Sequence, residues 1–243
     1  MHITVTGSHG FIGNHLVKYL LDNNHYLNCW DLKIGKNISD FTLKSTLEDT
    51  TDLIIHLAAL AGIRESFEQA DEFWQNNVEF TKRVFDVAHK SNTRIIYASS
   101  SACNKWYGNP YAISKYVNEF IAPPNSVGLR FSTVWGEGAR GDMLVPQIMN
   151  RTLKYATTHQ RDLIHVSDLI SGIQCIMDHP DETGIFELGT GRTVAVDQLV
   201  AFNGLDVPIT KGEDYEAQEN LLPSHRLRAL GWTPKRFIMD EKL

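Results

Sequence analysis

The chain is poor in cysteine, has no strong excess of positive charge and contains no long hydrophobic run. Its 243 residues include three cysteines, Cys29, Cys103 and Cys175. They lie far apart with no CxxC spacing, which argues against a zinc site and against a disulfide framework. No metal is expected, and a reducing compartment fits. Lysine and arginine number 23 against 29 acidic residues, a formal net charge of −6. A nucleic-acid binder would show a basic face, so no nucleic-acid partner is expected. The longest apolar run, Leu53 to Ile63, is broken by His56 and is too short to cross a bilayer. The opening MHITVTG lacks the basic start and apolar stretch of a signal peptide. A cytoplasmic, globular chain with no membrane partner is the expectation. With 42% apolar residues it is long enough to bury a real core.

What is present is a repeating alternation of strand and helix. His2–Thr6 reads as a strand, and glycines follow at 7, 10 and 13. Phe11, Ile12, Leu16, Tyr19 and Leu20 then recur at helical spacing. Tyr26–Trp30 is a second strand, ending at Asp31. Asp52–Ala59 and Thr93–Ala98 are continuous apolar runs of strand length, as expected for strands covered on both faces. Val78–Ala88, Met143–Tyr155 and Val166–Met177 read as helices, and Ser126–Phe131 and Ile185–Leu188 as strands. The order predicts an α/β fold, a doubly wound parallel sheet with a small C-terminal cap. The main domain would be 1–132, with about 162–188 returning to it, and the cap 133–161 with 189–243.

Two motifs carry chemistry. In Gly7-Ser8-His9-Gly10-Phe11-Ile12-Gly13, Gly7 permits a tight turn, Gly10 lets backbone approach a diphosphate, and Gly13 allows close helix packing. The helix that follows offers N–H groups and a partial positive charge to the anion. Asp31 ends the second strand, where a carboxylate can accept both ribose hydroxyls of an adenosine and repel a 2′-phosphate. The cofactor expected is therefore NAD rather than NADP.

The second motif is Ser99-Ser100-Ser101 after the TRIIYA strand, followed by Tyr111 and Lys115. The two are four apart and share one helix face. A free tyrosine has a pKa of about 10, so only about 0.1% is phenolate at pH 7. A nearby ammonium favours the phenolate and makes tyrosine a usable general base. A serine hydroxyl can hold the substrate oxygen and share the proton. Other residues have plain readings. His56 packs at a strand end, Trp30, Trp74 and Trp232 pack, and Glu213, Asp214 and Glu216 form a solvated edge.

Together TGSHGFIG, HLAALAG, YASSSA, YAISK, GLRFSTVWG, RDLIHVSD and LRALGWTPK resemble the extended short-chain dehydrogenase/reductases, the nucleotide-sugar epimerases and dehydratases. The resemblance spans nearly the whole chain and implies a Rossmann-type fold. AGIRESFEQADEF and GLRFSTVWGEGARGDM are most similar to UDP-glucuronate 4-epimerases. It implies cofactor contacts at Gly7, His9, Gly10, Phe11, Ile12, Gly13, Asp31, Leu32, Asn37, Ile38, Leu57, Ala58, Ala59, Asn77, Ala98, Ser99, Tyr111, Lys115 and Phe131. It implies catalysis by Ser100, Tyr111 and Lys115, with Ser101 as the alternative serine, and substrate contacts at Ser101, Thr133, Arg140 and Arg161. The expected reaction is C4 epimerisation through a transient 4-keto sugar, UDP-glucuronate favoured. The alternatives are a UDP-glucuronate decarboxylase, another dehydratase or reductase, and, from a different class, a non-catalytic NAD- or nucleotide-binding module. The interval from Ser100 to Tyr111 is shorter than the family's, and Asn104-Lys105 replaces its Tyr-Gly. A homodimer through the Tyr111–Phe120 and Val78–Ala88 helices is the assembly the resemblance implies.

Overall fold

The computed structural model describes residues 1–47 and 51–243. It divides into two compact units, Met1–Arg130 with Asp181–Phe186, and Phe131–Pro180 with Glu187–Leu243. Chain order begins β1 (His2–Thr6), α1 (Phe11–Asp22), β2 (Tyr26–Trp30), α2 (Lys44–Leu47), β3 (Leu53–His56), α3 (Ile63–Glu68) and α4 (Ala70–Trp74). It continues with α5 (Phe80–Lys90), β4 (Arg94–Ser100), α6 (Pro110–Ile121), β5 (Ser126–Phe131), β6 (Thr133–Trp135), α7 (Leu144–Met149) and β7 (Ala156–Thr157). Then follow β8 (Gln160–His165), α8 (Val166–Asp178), β9 (Gly184–Leu188), β10 (Thr193–Ala195), α9 (Val196–Phe202), β11 (Ile209–Thr210) and α10 (His225–Ala229).

The main sheet has the order β2-β1-β3-β4-β5-β9. β1 pairs parallel with β2 and with β3, and β3 pairs parallel with β4. All four residues of β3 are buried, as its unbroken apolar sequence required. Phe41, Ile54, Val84, Phe85, Ile95 and Tyr97 form one core cluster, with Trp30 packed against it. The fold is a Rossmann-type α/β sheet. The chain runs from β1 out to β2 and then back to β3 on the other side of β1. The carboxyl ends of β1 and β3 therefore flank the point where the strand order reverses, the place where open α/β sheets bind ligands.

α5 begins two residues later than its apolar spacing suggested, because Gln75–Glu79 forms a wide helical turn before it. Trp232 is buried, but Trp74 is 44% exposed and packs less than expected. Among the described residues no helix is long and apolar enough to cross a membrane.

The second unit carries a three-stranded sheet, β10-β8-β6, and the two-stranded pair β11-β7. β8 runs parallel to β6 and antiparallel to β10. The expected return of about 162–188 to the main sheet is made by Gly184–Leu188 alone. β8 stays apart because its buried Asp162 carboxylate accepts the Thr190 and Gly191 N–H groups, which ties it to this unit. The expected helix over Met143–Tyr155 stops at Met149. Arg151 there takes φ +55°, and Leu153 packs on the Trp135, Val145 and Leu163 cluster from non-helical backbone. The apolar periodicity was met by packing rather than by continued helix.

Candidate active site

The first unit gathers the glycine turn, the end of β2, the serine run and the Tyr111–Lys115 helix. β1 ends at Thr6, and Gly7 takes φ +70° while donating to the Trp30 carbonyl at 2.7 Å. A Cβ on Gly7 would sit 2.6 Å from the Ala58 nitrogen, and one on Gly13 would collide with the Gly7 carbonyl. A Cβ on Gly10 would meet only the Gly7 oxygen, at 3.3 Å. Gly7 and Gly13 are thus needed for backbone approach, and Gly10 keeps a side chain off the start of α1. Gly10 caps α1 without a side chain, and the first turn of α1 carries no acidic residue. That helix end is electrostatically ready for an anion.

Asp31 closes the same corner. Its Oδ2 accepts the His9 N–H at 2.9 Å and its Oδ1 accepts the Lys33 N–H at 2.9 Å. Two carboxylate oxygens offer about four acceptor positions, so room for ligand hydroxyls remains. Of the other residues expected near a cofactor, Leu57, Ala58 and Ala59 are half-buried after β3. Ala58 donates to the Thr6 hydroxyl at 3.3 Å. Phe11 and Ile12 are half-buried at the start of α1. Leu32 is 68% exposed, whereas Ile38 is buried. Asn37 caps the turn at Ile38 by accepting the Ser39 N–H at 3.0 Å. Phe131, the last residue of β5, belongs to the second unit.

Asn77 acts as a stitch. Its amide accepts from Leu60 N–H at 2.8 Å and donates to the Leu60 carbonyl and the Ser114 hydroxyl. It fixes the loop after β3 against α6.

The chemistry-bearing helix starts cleanly. Asn109 accepts the Ala112 N–H at 2.8 Å and Pro110 opens the first turn. Tyr111 meets the Phe73 ring edge-on. One turn later Lys115 is buried, and its Nζ donates to the Ala98 carbonyl at 3.0 Å. Burial pulls the Lys115 pKa down to about 8. The ammonium is therefore still the main form at pH 7, held at the strand end where the serines begin. His56 also lies in this region of the fold. It is fully buried, bonded to Thr6 Oγ1 at 2.6 Å and Thr81 Oγ1 at 2.9 Å. Burial, with the Lys115 charge, lowers its pKa to about 3, so it is a neutral packing histidine.

The three serines are not equivalent. Ser99 donates to Glu119 Oε1 at 2.5 Å and lies 3.3 Å from Cys103 Sγ. Its hydroxyl is thus engaged inside the first unit. Ser100 accepts the Ala102 N–H at 3.1 Å, and Ser101 is 9% exposed in the turn that follows. Glu119 is the residue the sequence reading passed over. Arg130 grips it with two bonds of 2.8 and 2.7 Å, and a third reaches Asn104 at 2.9 Å. Its signal was present, since Glu119 follows Lys115 by the same four-residue step that links Lys115 to Tyr111.

Thr133, Arg140 and Arg161 belong to the second unit. Thr133 accepts from Asn220 at 3.1 Å, and Arg140 pairs with Asp142 at 3.1 Å in the open. Arg161 donates to the Gln160 and Ala217 carbonyls, to the His159 ring and to Glu216 at 3.1 Å. Glu216 is thus no solvated edge residue. The Arg161 side chain is only 15% exposed and needs a shielded counter-charge, which Glu216 supplies.

Comparison with known proteins agrees with this geometry. The NAD dependent epimerase/dehydratase family matches residues 3–189. A UDP-glucose 4-epimerase of Caenorhabditis elegans is 28% identical, covering 87% of this chain and 86% of that protein. MoeE5, solved in complex with UDP-glucuronic acid and NAD, aligns with a TM-score of 0.86 at 24% identity over 98% of this chain and 95% of that one. The UDP-glucuronic acid 4-epimerase of Bacillus cereus, in complex with UDP-glucuronic acid and NAD, aligns with a TM-score of 0.85 at 20% identity, covering 99% and 96%. A glycine turn whose Gly7 and Gly13 admit no Cβ, a carboxylate at the end of β2 and a buried lysine one turn after a tyrosine fit a dinucleotide cofactor. The chain belongs to the NAD dependent epimerase/dehydratase family and is an enzyme of that class, with NAD as its cofactor.

Proposed function

We propose that this enzyme is a nucleotide-sugar 4-epimerase that interconverts UDP-glucuronate and UDP-galacturonate. The observation that carries the reading is the Lys115 ammonium, buried, bonded to the Ala98 carbonyl and one helical turn from Tyr111. A fixed positive charge beside the phenol is what a tyrosine base needs. When bound, NAD supplies reversible hydride acceptance at the sugar C4. Tyr111 takes the proton of the 4-hydroxyl and returns it after the 4-keto sugar has turned its other face. Ser100, with Ser101 beside it, hydrogen-bonds the C4 oxygen, and Lys115 stabilises the phenolate. The glycine turn and α1 receive the cofactor diphosphate, and Asp31 its adenosine ribose. Thr133, Arg140 and Arg161 serve the sugar and its anionic groups. The support for this substrate is the GLRFSTVWGEGARGDM resemblance, together with two fold neighbours solved with UDP-glucuronic acid.

Incubation with UDP-glucuronate, followed by NMR of the sugar products, tests the reading. UDP-galacturonate is expected, with turnover reduced about 10²–10⁴-fold in Tyr111→Phe while NAD binding is kept. Carbon dioxide and a UDP-pentose would replace the epimerase reading with a decarboxylase. Absence of turnover with UDP-, GDP- and dTDP-sugars alike would sink both.

A further inference from the structure

The second unit contains a small cationic cleft that takes no part in the chemistry above. Its volume is about 180 Å³, and Arg192, Arg228, Lys235, Arg236, Phe237 and Asp240 line it. Arg236 is neutralised by Glu241, onto which its guanidinium forks. Among the lining side chains Arg192, Arg228 and Lys235 then stand against Asp240, 3 − 1 = +2, while the Asp162 and Asp168 carboxylates behind the walls are engaged by backbone N–H groups. Like charges gathered in one cleft repel, and a bound anion relieves that repulsion.

The cleft is built rather than fluid. Buried Asp162 holds one wall through the Thr190 N–H and hydroxyl, both at 2.8 Å, and the Gly191 N–H at 3.0 Å. Buried Asp168 holds the other through the Lys235 and Arg236 N–H groups at 3.0 and 2.9 Å. Arg228 is pinned to the Pro223 and Thr190 carbonyls at 3.0 and 2.8 Å. Gly191 makes room for it, since a Cβ there would sit 3.2 Å from the guanidinium. Arg192 lies over the Phe237 ring, 5.4 Å from its centre. Arginines oriented in advance lose little freedom on meeting an anion, and the planar fork matches phosphate oxygens. The volume is below the range of roughly 300–1,000 Å³ usual for whole small-molecule ligands, so one or two phosphoryl groups fit better than a complete sugar nucleotide.

We propose that this cleft is an anion site for a phosphoryl or diphosphoryl group, formed wholly by the second unit and separate from the residues assigned to cofactor and substrate. The test uses NAD-saturated enzyme, so that the glycine turn is filled. Inorganic phosphate and pyrophosphate are titrated by calorimetry at ionic strength matched with chloride. Saturable binding of at least one is expected. It weakens about tenfold or more in Arg192→Gln and in Arg228→Gln, each losing a charge-assisted bond. It is unchanged in Lys18→Gln, an exposed lysine of the first unit. Preference for pyrophosphate assigns a diphosphoryl ligand, and equal binding a single phosphoryl group. Arg192→Gln keeps the test sound if Arg228→Gln fails to fold, because Arg228 anchors two backbone carbonyls. The KM for the sugar nucleotide stays the same in Arg192→Gln. No saturable binding of either anion, or full binding in Arg192→Gln, or equal loss in Lys18→Gln, overturns the proposal.

Discussion

At Gly7 the backbone must be left-handed and must pass within reach of the Ala58 nitrogen, and a side chain would obstruct both. Gly7→Ala therefore combines a strained φ with a clash against main chain, which cannot rotate away. A loss of about 2–4 kcal/mol of stability is expected, read as a lowered midpoint in urea. Glu216 illustrates the opposite case, a residue whose importance is purely relational. It occupies Arg161, which is proposed to meet the anionic substrate. Glu216→Gln keeps the shape and removes the competing charge. Its KM for UDP-glucuronate should fall a few-fold, by about the worth of one partly shielded ion pair. An unchanged or raised KM would show that Glu216 does not compete. The places of Gly7 in its turn, Asp31 at the end of β2, and Tyr111 and Lys115 one turn apart were legible from spacing, because each depends on local geometry. Glu216 was not, since it lies 55 residues from the arginine it meets.

At the scale of elements, α6 carries the Tyr111 and Lys115 proposed for catalysis. Its cap, its proline and its Tyr111–Lys115 face are all written in local sequence. What fixes it beside β4 and β5 is the Glu119–Arg130 pair, whose side chains are 7% and 20% exposed. Glu119→Ala would take from the shielded Arg130 the carboxylate that two of its bonds meet, and would free the Ser99 hydroxyl from Glu119. A loss of about 3–5 kcal/mol is expected, seen as a large drop in Tm. The double variant Glu119→Leu/Arg130→Met should recover much of it, since no charge is then stranded. The short interval Ser101–Gly108 forms turns of 3-10 helix, tied by Asn104 to Arg130. β8 shows the limit of element-level reading. Its sequence suits any buried strand, and only the partners of Asp162 decide which sheet receives it.

For the molecule as a whole, two buried bases, His56 and Lys115, each make stability depend on pH. His56 has a folded pKa of about 3 against 6.5 for the free side chain. Between those values the unfolded chain binds a proton that the folded chain does not, so stability falls as pH drops through this window. The full effect is of the order of 5 kcal/mol. His56→Gln should flatten that part of the curve, measured by urea unfolding at pH 6.5 and 4.5. Lys115, at about 8 against 10.5, works in the same sense at the alkaline end. There the unfolded chain again binds the extra proton, so the Lys115 contribution to stability rises between pH 8 and 10.5, by about 3 kcal/mol, against an opposing contribution from the Cys103 thiol, which burial pushes up to about 11. Lys115→Met should remove that rise.

By itself the sequence determined the alternation of strands and helices, the glycine turn, the carboxylate after β2 and the Tyr111–Lys115 step. Each depends on neighbours within one turn or one strand, where periodicity and backbone sterics act directly. Only the tertiary structure decided the strand order β2-β1-β3-β4-β5-β9, the separate sheet of β6, β8 and β10, and the pairings Glu119–Arg130 and Glu216–Arg161. Those depend on which buried charges and unpaired N–H groups meet across long stretches of chain. Burial makes every such group find a partner, but it does not write the partner's position into the local sequence.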